Sequence, residues 1–444
     1  MQFPVWTSLD SWIVLSALLV ALNCALLGNF LLLRKQSMMG DAISHAVLPG
    51  LAAAFLLTGS RGSLVMFVGA LVLGVATAFL VQWITKAGQV EEGASMGVVF
   101  TSLFALGLIL IRQAASQVDL DPSCVLYGAV ELAPFDVVKV AGWSVPNAVL
   151  VNGAMLLVNG IFVVLLWKEL KLSSFDSALA KSLGMRVGML HYGFMALVAA
   201  TTVASFQVVG SILVIAMLIV PAATAFLLTR RLWVMVLLSL LVAAGASIGG
   251  HWSALVVPEL LGYEGDTSTA GMIAVFSGLL FLCAWLFSPQ QGVVALGLHR
   301  LREWERVAKD DVLAALWRLQ EKHHGPVAIS LLHPILSVEP VIHRFAFLLL
   351  RIRGRVKLTR GSSGESMVEL IGKGFADAQK VVRSHRLWEH YLVEEIGVRV
   401  DRVHHTAERL EHVTSQEMRA EMARELGNPE KDPHLKTIPG EETV

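Results

Sequence analysis

Residues 40–58 read GDAISHAVLPGLAAAFLLT, an apolar run that carries an acid and an imidazole where a membrane helix is expected. An ionisable side chain at the bilayer centre costs on the order of 2.5–3.5 kcal/mol, so such groups persist in spans mainly where function needs them. Four residues separate Asp41 from His45, which places both on one helical face. A carboxylate beside an imidazole is a donor set suited to a divalent transition metal. The plainer alternative is a helix-capping Asp at a membrane entry and a core histidine with a partner.

The rest of the chain divides sharply around residue 288. Of 444 residues, 55% are hydrophobic and 16% charged, yet only 12 of the 35 Lys and Arg and 13 of the 35 Asp and Glu precede Ser288. Residues 1–287 therefore read as membrane domain and the remainder as a soluble tail. Charge balances in both parts, which argues against a strongly basic nucleic-acid-binding surface overall. Cys24 and Cys283 lie in apolar runs, Cys124 lies in a loop and the tail has none, so the composition fits a tail in a reducing cytosol without a disulfide framework.

Nine apolar runs long enough to span a bilayer can be placed, at residues 12–33, 42–58, 64–84, 94–111, 147–167, 190–205, 208–229, 232–249 and 269–287. The break over residues 205–210 is the weakest boundary. With the N-terminus outside, Arg34, Lys35, Lys86, Lys168, Lys171, Lys181, Arg186, Arg230 and Arg231 face the cytoplasm, against Arg61, Arg112 and Lys139 on the far side. That asymmetry satisfies the positive-inside rule for a multi-pass protein of the cytoplasmic (inner) membrane, and an odd span count delivers the tail to the cytoplasm. The first span lacks a signal-peptide cleavage pattern and reads as a retained helix.

Residues 168–186 form a short cytoplasmic segment with a Ser-rich start, Asp176, an apolar face at Phe175, Leu179 and Leu183, and a terminating Gly184. The pattern predicts a short amphipathic helix, either lying on lipid or docking a cytoplasmic motor subunit. No glycine-rich phosphate loop ending in Lys-Ser or Lys-Thr occurs, so this chain is expected to bind no nucleotide and to leave ATP hydrolysis to another subunit. An intramembrane metalloenzyme is disfavoured because HExxH and comparable spacings are missing, and the chain reads as a transport subunit.

Four ordered motifs carry a resemblance: GDAISHAVLPG from Gly40, MGVVFTSLFALGLILI from Met96, FDSALAKSLGM from Phe175 and QVVGSILVIAMLIVPAATA from Gln207. Together they resemble the permease subunit of ATP-binding-cassette importers for zinc, manganese and iron. The resemblance implies that Asp41 and His45 contact the transported ion. It also implies that residues 175–185, with Phe175, Asp176, Ala180 and Gly184, form the coupling helix seated in a groove of the ATPase. The implied partners are that ATPase, an extracytoplasmic metal-binding protein and a second permease copy or paired permease. Residues 253–268, with Pro258, Glu259, Glu264 and Asp266, look longer than the family's usual connection. A metal chelate is an alternative cargo, but an intramembrane acid and imidazole favour the bare ion.

After a linker over 288–304, a charged helix is expected to about His323, with Val312, Leu316 and Leu319 on its buried face. A helical run over 337–353, a basic, glycine-spaced hairpin over 353–364 and a further helix from Met367 onward suggest a winged helix-turn-helix at 305–380. Its expected recognition helix, residues 338–350, is apolar and offers only His343 and Arg344 to DNA. Arg351, Arg353, Arg355, Lys357 and Arg360 add charge from the wing.

In the last part, 381–444, His385 and Glu389 stand one turn apart, and His404, Glu408, Glu411 and His412 recur at helical spacings. Two such helices face to face would surround a cation with imidazoles and carboxylates. VVRSHRLWEHYLVEEIGV, VHHTAERLEHVTSQEM and DPHLKTIP are similar to the metal-sensing and dimerisation domain of iron- and manganese-dependent repressors of the diphtheria toxin repressor type. By that resemblance His385, Glu408, Glu411, His412 and Asp311 are metal ligands, and Glu389 and His404 belong to an accessory site. Glu408 stands where iron sensors carry a cysteine, and a hard carboxylate there favours manganese. Ala314 stands where manganese sensors carry a second acid, which puts a two-metal centre in question. The expectation is an all-α polytopic membrane domain followed by a winged helix and a helical metal-binding domain. Its cargo and tail ligand would be manganese first, with iron and zinc as alternatives, and its other reading is a membrane-anchored, metal-dependent DNA-binding regulator.

Overall fold

The computed structural model describes residues 6–59, 63–114, 130–140, 142–262, 267–289, 291–332, 340–360 and 365–440. The chain divides into two compact units, Met1–Leu296 and Gly297–Val444. In the first, eight helices among the described residues are long and apolar enough to cross a membrane. They are α1 (Ser8–Leu33), α2 (Met39–Thr58), α3 (Ser63–Gly88), α4 (Glu92–Ala114), α5 (Asn147–Leu165), α8 (Val187–Leu228), α9 (Leu232–Leu260) and α10 (Thr269–Phe287). Short helices α6 (Trp167–Phe175) and α7 (Ser177–Ser182) join α5 to α8, and a hairpin of β1 (Val137–Val140) and β2 (Trp143–Pro146) precedes α5.

Eight helices accommodate the nine expected spans because α8 folds back on itself. Phe194 packs edge-on against Phe30 of α1 at 6.2 Å, and the Leu218 carbonyl sits where a Cβ on Gly28 would lie, 2.0 Å away. A straight helix would separate residues 194 and 218 by about 36 Å, yet both abut one turn of α1. The reversal falls at Gly210, whose φ of 76° and ψ of 172° break the helix. That backbone is essentially reserved for glycine, at about 1–3 kcal/mol for other residues. Gly210→Ala is therefore expected to lower the melting temperature of the purified chain in detergent. Gly245→Ala, on α9 with open space around its Cα, should leave it unchanged or higher. Equal melting of Gly210→Ala and wild type would contradict the fold-back.

Amides pin the bundle together where the spans offer nothing but apolar surface. Asn159 donates to Asn23 Oδ1 at 2.8 Å and to Thr201 at 3.0 Å, Asn23 donates to the Asn152 carbonyl at 2.8 Å, and Asn29 donates to Ser239 at 2.6 Å. Interhelical hydrogen bonds of this kind fix register where lipid supplies no hydrophobic drive between helices. Helix α9 runs on to Leu260, so Pro258 and Glu259 lie in its last turns and the expected long loop shortens; Glu264 and Asp266 lie outside the described residues.

The second unit contains most of α11 (Val293–His323), followed by β3 (Val327–Ala328), α12 (Pro340–Ile352), β4 (Val356–Arg360), β5 (Ser366–Leu370), α13 (Lys373–Glu394), α14 (Val403–Glu411) and α15 (Gln416–Glu425). The region expected as a linker is helical from Val293. Val312, Leu316 and Leu319 are buried as their spacing predicts, packed with Leu350, Val356 and Val368. The antiparallel sheet has order β3-β5-β4, with Val356 opposite Leu370 and Arg360 opposite Ser366; the hairpin lies later than the expected 353–364, because residues 366–370, expected to turn helical from Met367, pair as a strand and the helix begins only at Lys373. Residues 333–339 and 361–364 and the side chains of His343 and Arg344 lie outside the described residues.

Candidate metal centres

Asp41 enters α2 in its first turn, but it does not cap the helix: the N-cap is Met38, which makes no side-chain capping bond. Instead Asp41 Oδ1 lies 3.3 Å from His45 Nε2, with the acid 38% and the imidazole 21% exposed. The pair thus faces accessible space rather than a sealed core. Donor atoms at that separation can share one ion at metal–ligand distances of about 2.1 Å. Pro49, inside α2, has no N–H to give the His45 carbonyl, so that oxygen loses its regular helical partner.

The segment expected as one amphipathic helix is two. Asp176 ends α6 and caps α7, accepting from the backbone N–H groups of Ala178 at 3.0 Å and Leu179 at 2.9 Å. Phe175, Leu179 and Leu183 are exposed, Ala180 is buried, and Gly184 turns the chain at φ 81°. The sequence did not point to Arg34. Its guanidinium donates to Ser173 at 3.0 Å and Ser174 at 3.2 Å and stacks over Phe194 at 4.7 Å, tying the end of α1 to α6.

In the tail, α13 and α14 build a tight triangle of donors. His385 Nε2 lies 3.1 Å from Glu389 Oε1 and 2.9 Å from His404 Nδ1, and the last two atoms are 2.9 Å apart. One face of an octahedral ion with ligands at about 2.1 Å has edges near 3.0 Å, so the three residues fit a divalent cation as they stand. Beside this triangle is a second group: His412 Nε2 lies 3.3 Å from Asp311 Oδ1 of α11 and 3.7 Å from Glu411 Oε1. His385 Nδ1 reaches Glu411 Oε2 at 2.5 Å and so joins the two groups. Glu408, one turn earlier on α14, is half-buried and belongs to neither group, whereas Ala314 is buried. Asp310 at 3.6 Å from His412 Nδ1 and His434 at 3.8 Å from Glu389 join the assembly without having been anticipated.

The charges are mutually compensating. Burial alone would lower the His412 pKa, but contacts with Asp310 and Asp311 and the charge of Glu411 hold it up at about 10. Burial works the same way on His385, and Glu389 and Glu411 override it to raise that imidazole. Burial would raise Glu389, yet His385 and His404 keep its carboxyl well below the usual range. By contrast, two of the five wing cations are engaged: Arg353 pairs with Glu305 at 3.3 Å, and Arg355 pairs with Asp377 and donates to the Lys373 carbonyl.

Residues 9–288 match the family described as ABC 3 transport, and residues 372–440 match the iron dependent repressor metal binding and dimerisation domain. The manganese transport system membrane protein MntD of Bacillus subtilis (strain 168) is 41% identical over 66% of this chain and 97% of its own length. The zinc transport system membrane protein TroD of Treponema pallidum (strain Nichols) is 41% identical over 64% of this chain and 75% of its own length. Among solved structures, PsaBC from Streptococcus pneumoniae in complex with Fab superposes with a TM-score of 0.54 at 30% identity, covering 66% of this chain and 96% of that one.

Proposed function

The chain belongs to the ABC 3 transport family, and we infer that it is the multi-pass permease subunit of an ATP-binding-cassette importer for divalent transition metals, manganese foremost, with a metal-sensing tail. The observation that carries this reading is the acid–imidazole pair held 3.3 Å apart on a membrane helix.

A hydrated divalent cation does not cross apolar helices, and a deep, fully coordinated site would trap it. Two protein donors, Asp41 Oδ1 and His45 Nε2, offer a shallow foothold instead, leaving other ligand positions to water or to a second copy of the chain across a shared path. The N-terminus lies outside and the tail in the cytoplasm. An extracytoplasmic binding protein delivers the ion, and the ATPase docks on residues 175–185, where Phe175, Leu179 and Leu183 are exposed for it. Asp176 shapes this surface by capping α7, Ala180 anchors it by burial and Gly184 ends it. The metal of the tail would be held by His385, Glu389 and His404, with Asp311, Glu411 and His412 as a second donor group; Glu408 stands outside both. A membrane-anchored, metal-dependent DNA-binding activity is the lesser reading, since Arg353 and Arg355 are engaged within the tail.

Vesicles holding this chain with its ATPase and binding protein are expected to accumulate manganese only when ATP is supplied to the motor side. Equal accumulation without the ATPase would overturn the assignment.

A further inference from the structure

The imidazole of His45 does not stand alone against Asp41. Two rings of α4 enclose it: Phe100 at 4.6 Å between centroids with planes at 57°, and Phe104 at 5.2 Å and 84°. Phe100 and Phe104, four residues apart on one face of α4, lie 6.1 Å from each other at 27°. These separations are those of favourable aromatic packing. What seats the rings is a close approach of the helix backbones one turn further on. A Cβ added to Gly107 would stand 2.8 Å from Cδ of Pro49, so α4 lies flush against α2 just beyond His45.

A histidine on a helix has its first torsion restricted by the backbone, but the second is broad, so the helix alone does not fix the plane of the ring. A foothold of only two protein donors suffers most from such freedom, because each capture of an ion would first have to orient the imidazole. We propose that Phe100 and Phe104 are positioning residues for metal capture: they clamp His45 so that Nε2 stays turned toward Asp41, and the resulting fixed donor pair sharpens the choice among divalent ions. This rests on the reading of Asp41 and His45 as the foothold. The motif MGVVFTSLFALGLILI thereby acquires a role, in which Gly107 provides the contact and the two phenylalanines provide the clamp.

Phe100→Ala and Phe104→Ala, singly and together, are to be compared with Phe→Tyr and Phe→Leu in vesicles carrying the complete importer. The double Ala variant is expected to raise the manganese concentration for half-maximal uptake about tenfold, the size of effect expected from freeing an ordered side chain, with the maximal rate within about twofold. Tyr should restore the wild-type value, whereas Leu, which fills space without a flat ring, should not. Preference for manganese over zinc in competition should fall in step. Binding of Mn(II) to the detergent-purified chain, read as loss of the free-ion EPR signal, gives the same comparison if a variant fails to assemble with its ATPase. An unchanged half-saturation would overturn the proposal, as would a lower maximal rate alone or an ATP-independent leak, which would mark the rings as a plug. Asp41→Ala run in parallel separates the two readings. If it too binds and transports like wild type, the foothold itself is wrong. If it fails while the ring variants do not, only the clamp is.

Discussion

Asp41→Ala is expected to reduce ATP-driven manganese uptake by about a hundredfold or more, and His45→Ala by a comparable amount. Losing even an outer partner of a metal ligand commonly costs 10–100-fold, and here one of two protein donors would go. The 3.3 Å contact between the pair makes the two substitutions non-additive, because the survivor has no other described side-chain donor at hydrogen-bonding distance. Asp41→Asn is the sharper variant, since it keeps the shape and removes the charge that offsets the ion. Initial rates in vesicles, at saturating ATP and with variant levels matched, decide the matter. A rate for Asp41→Asn within twofold of wild type would remove the pair from the path.

His385→Ala is expected to weaken manganese binding at the tail by more than about a hundredfold, whereas His404→Ala should spare the group at Asp311, Glu411 and His412. The reason is geometric: His385 takes part in the donor triangle through Nε2 and contacts Glu411 through Nδ1. Titration calorimetry on the full chain in an Asp41→Ala background isolates the tail. Protonation gives the expectation a second edge. His412 has its folded-state pKa raised to about 10 from an ordinary 6.5, so in the metal-free tail its contribution to stability is fully present below about pH 6.5 and is lost as pH rises through about 10. The raised His385 acts in the same sense. Ligation requires both rings neutral, so metal binding to the folded tail expels protons and tightens as pH rises towards about 10. Calorimetry in two buffers of different ionisation heat counts the protons released; binding with no proton release would rule out these imidazoles as ligands.

Much of this was legible in the sequence, for reasons that differ from place to place. The spans showed because length and hydropathy are local properties, and Asp41 with His45 because a four-residue spacing on a helix guarantees proximity. The fold-back at Gly210 showed only as a weak boundary, since residues 205–210 remain apolar and the reversal is a matter of one φ angle. Residues 168–186 were read as one helix because Phe175, Leu179 and Leu183 share a spacing. The side chain of Asp176 competes with the backbone and starts a new helix instead. In the tail, His385, Glu389, His404, Glu411 and His412 announce themselves by spacing. Asp310 and His434 approach only through tertiary packing, and Glu408 has the right spacing without the convergence. Arg34 passed as one more positive-inside residue because nothing in the sequence near it names Ser173, Ser174 or Phe194.

The His385 imidazole touches both tail groups, so if each held a metal ion their occupancies would be interdependent. A cation drawing on Nε2 would polarise the ring and strengthen the hold of Nδ1 on Glu411, and that carboxylate is one of the arms available to a neighbouring ion. By reciprocity, whatever the first arrival does to the affinity of the second, the second does equally to the first. On the proposed reading, cations at the two groups would bind as a coupled pair, and the response of the tail would be set by the joint filling of both positions rather than by the strength of either one.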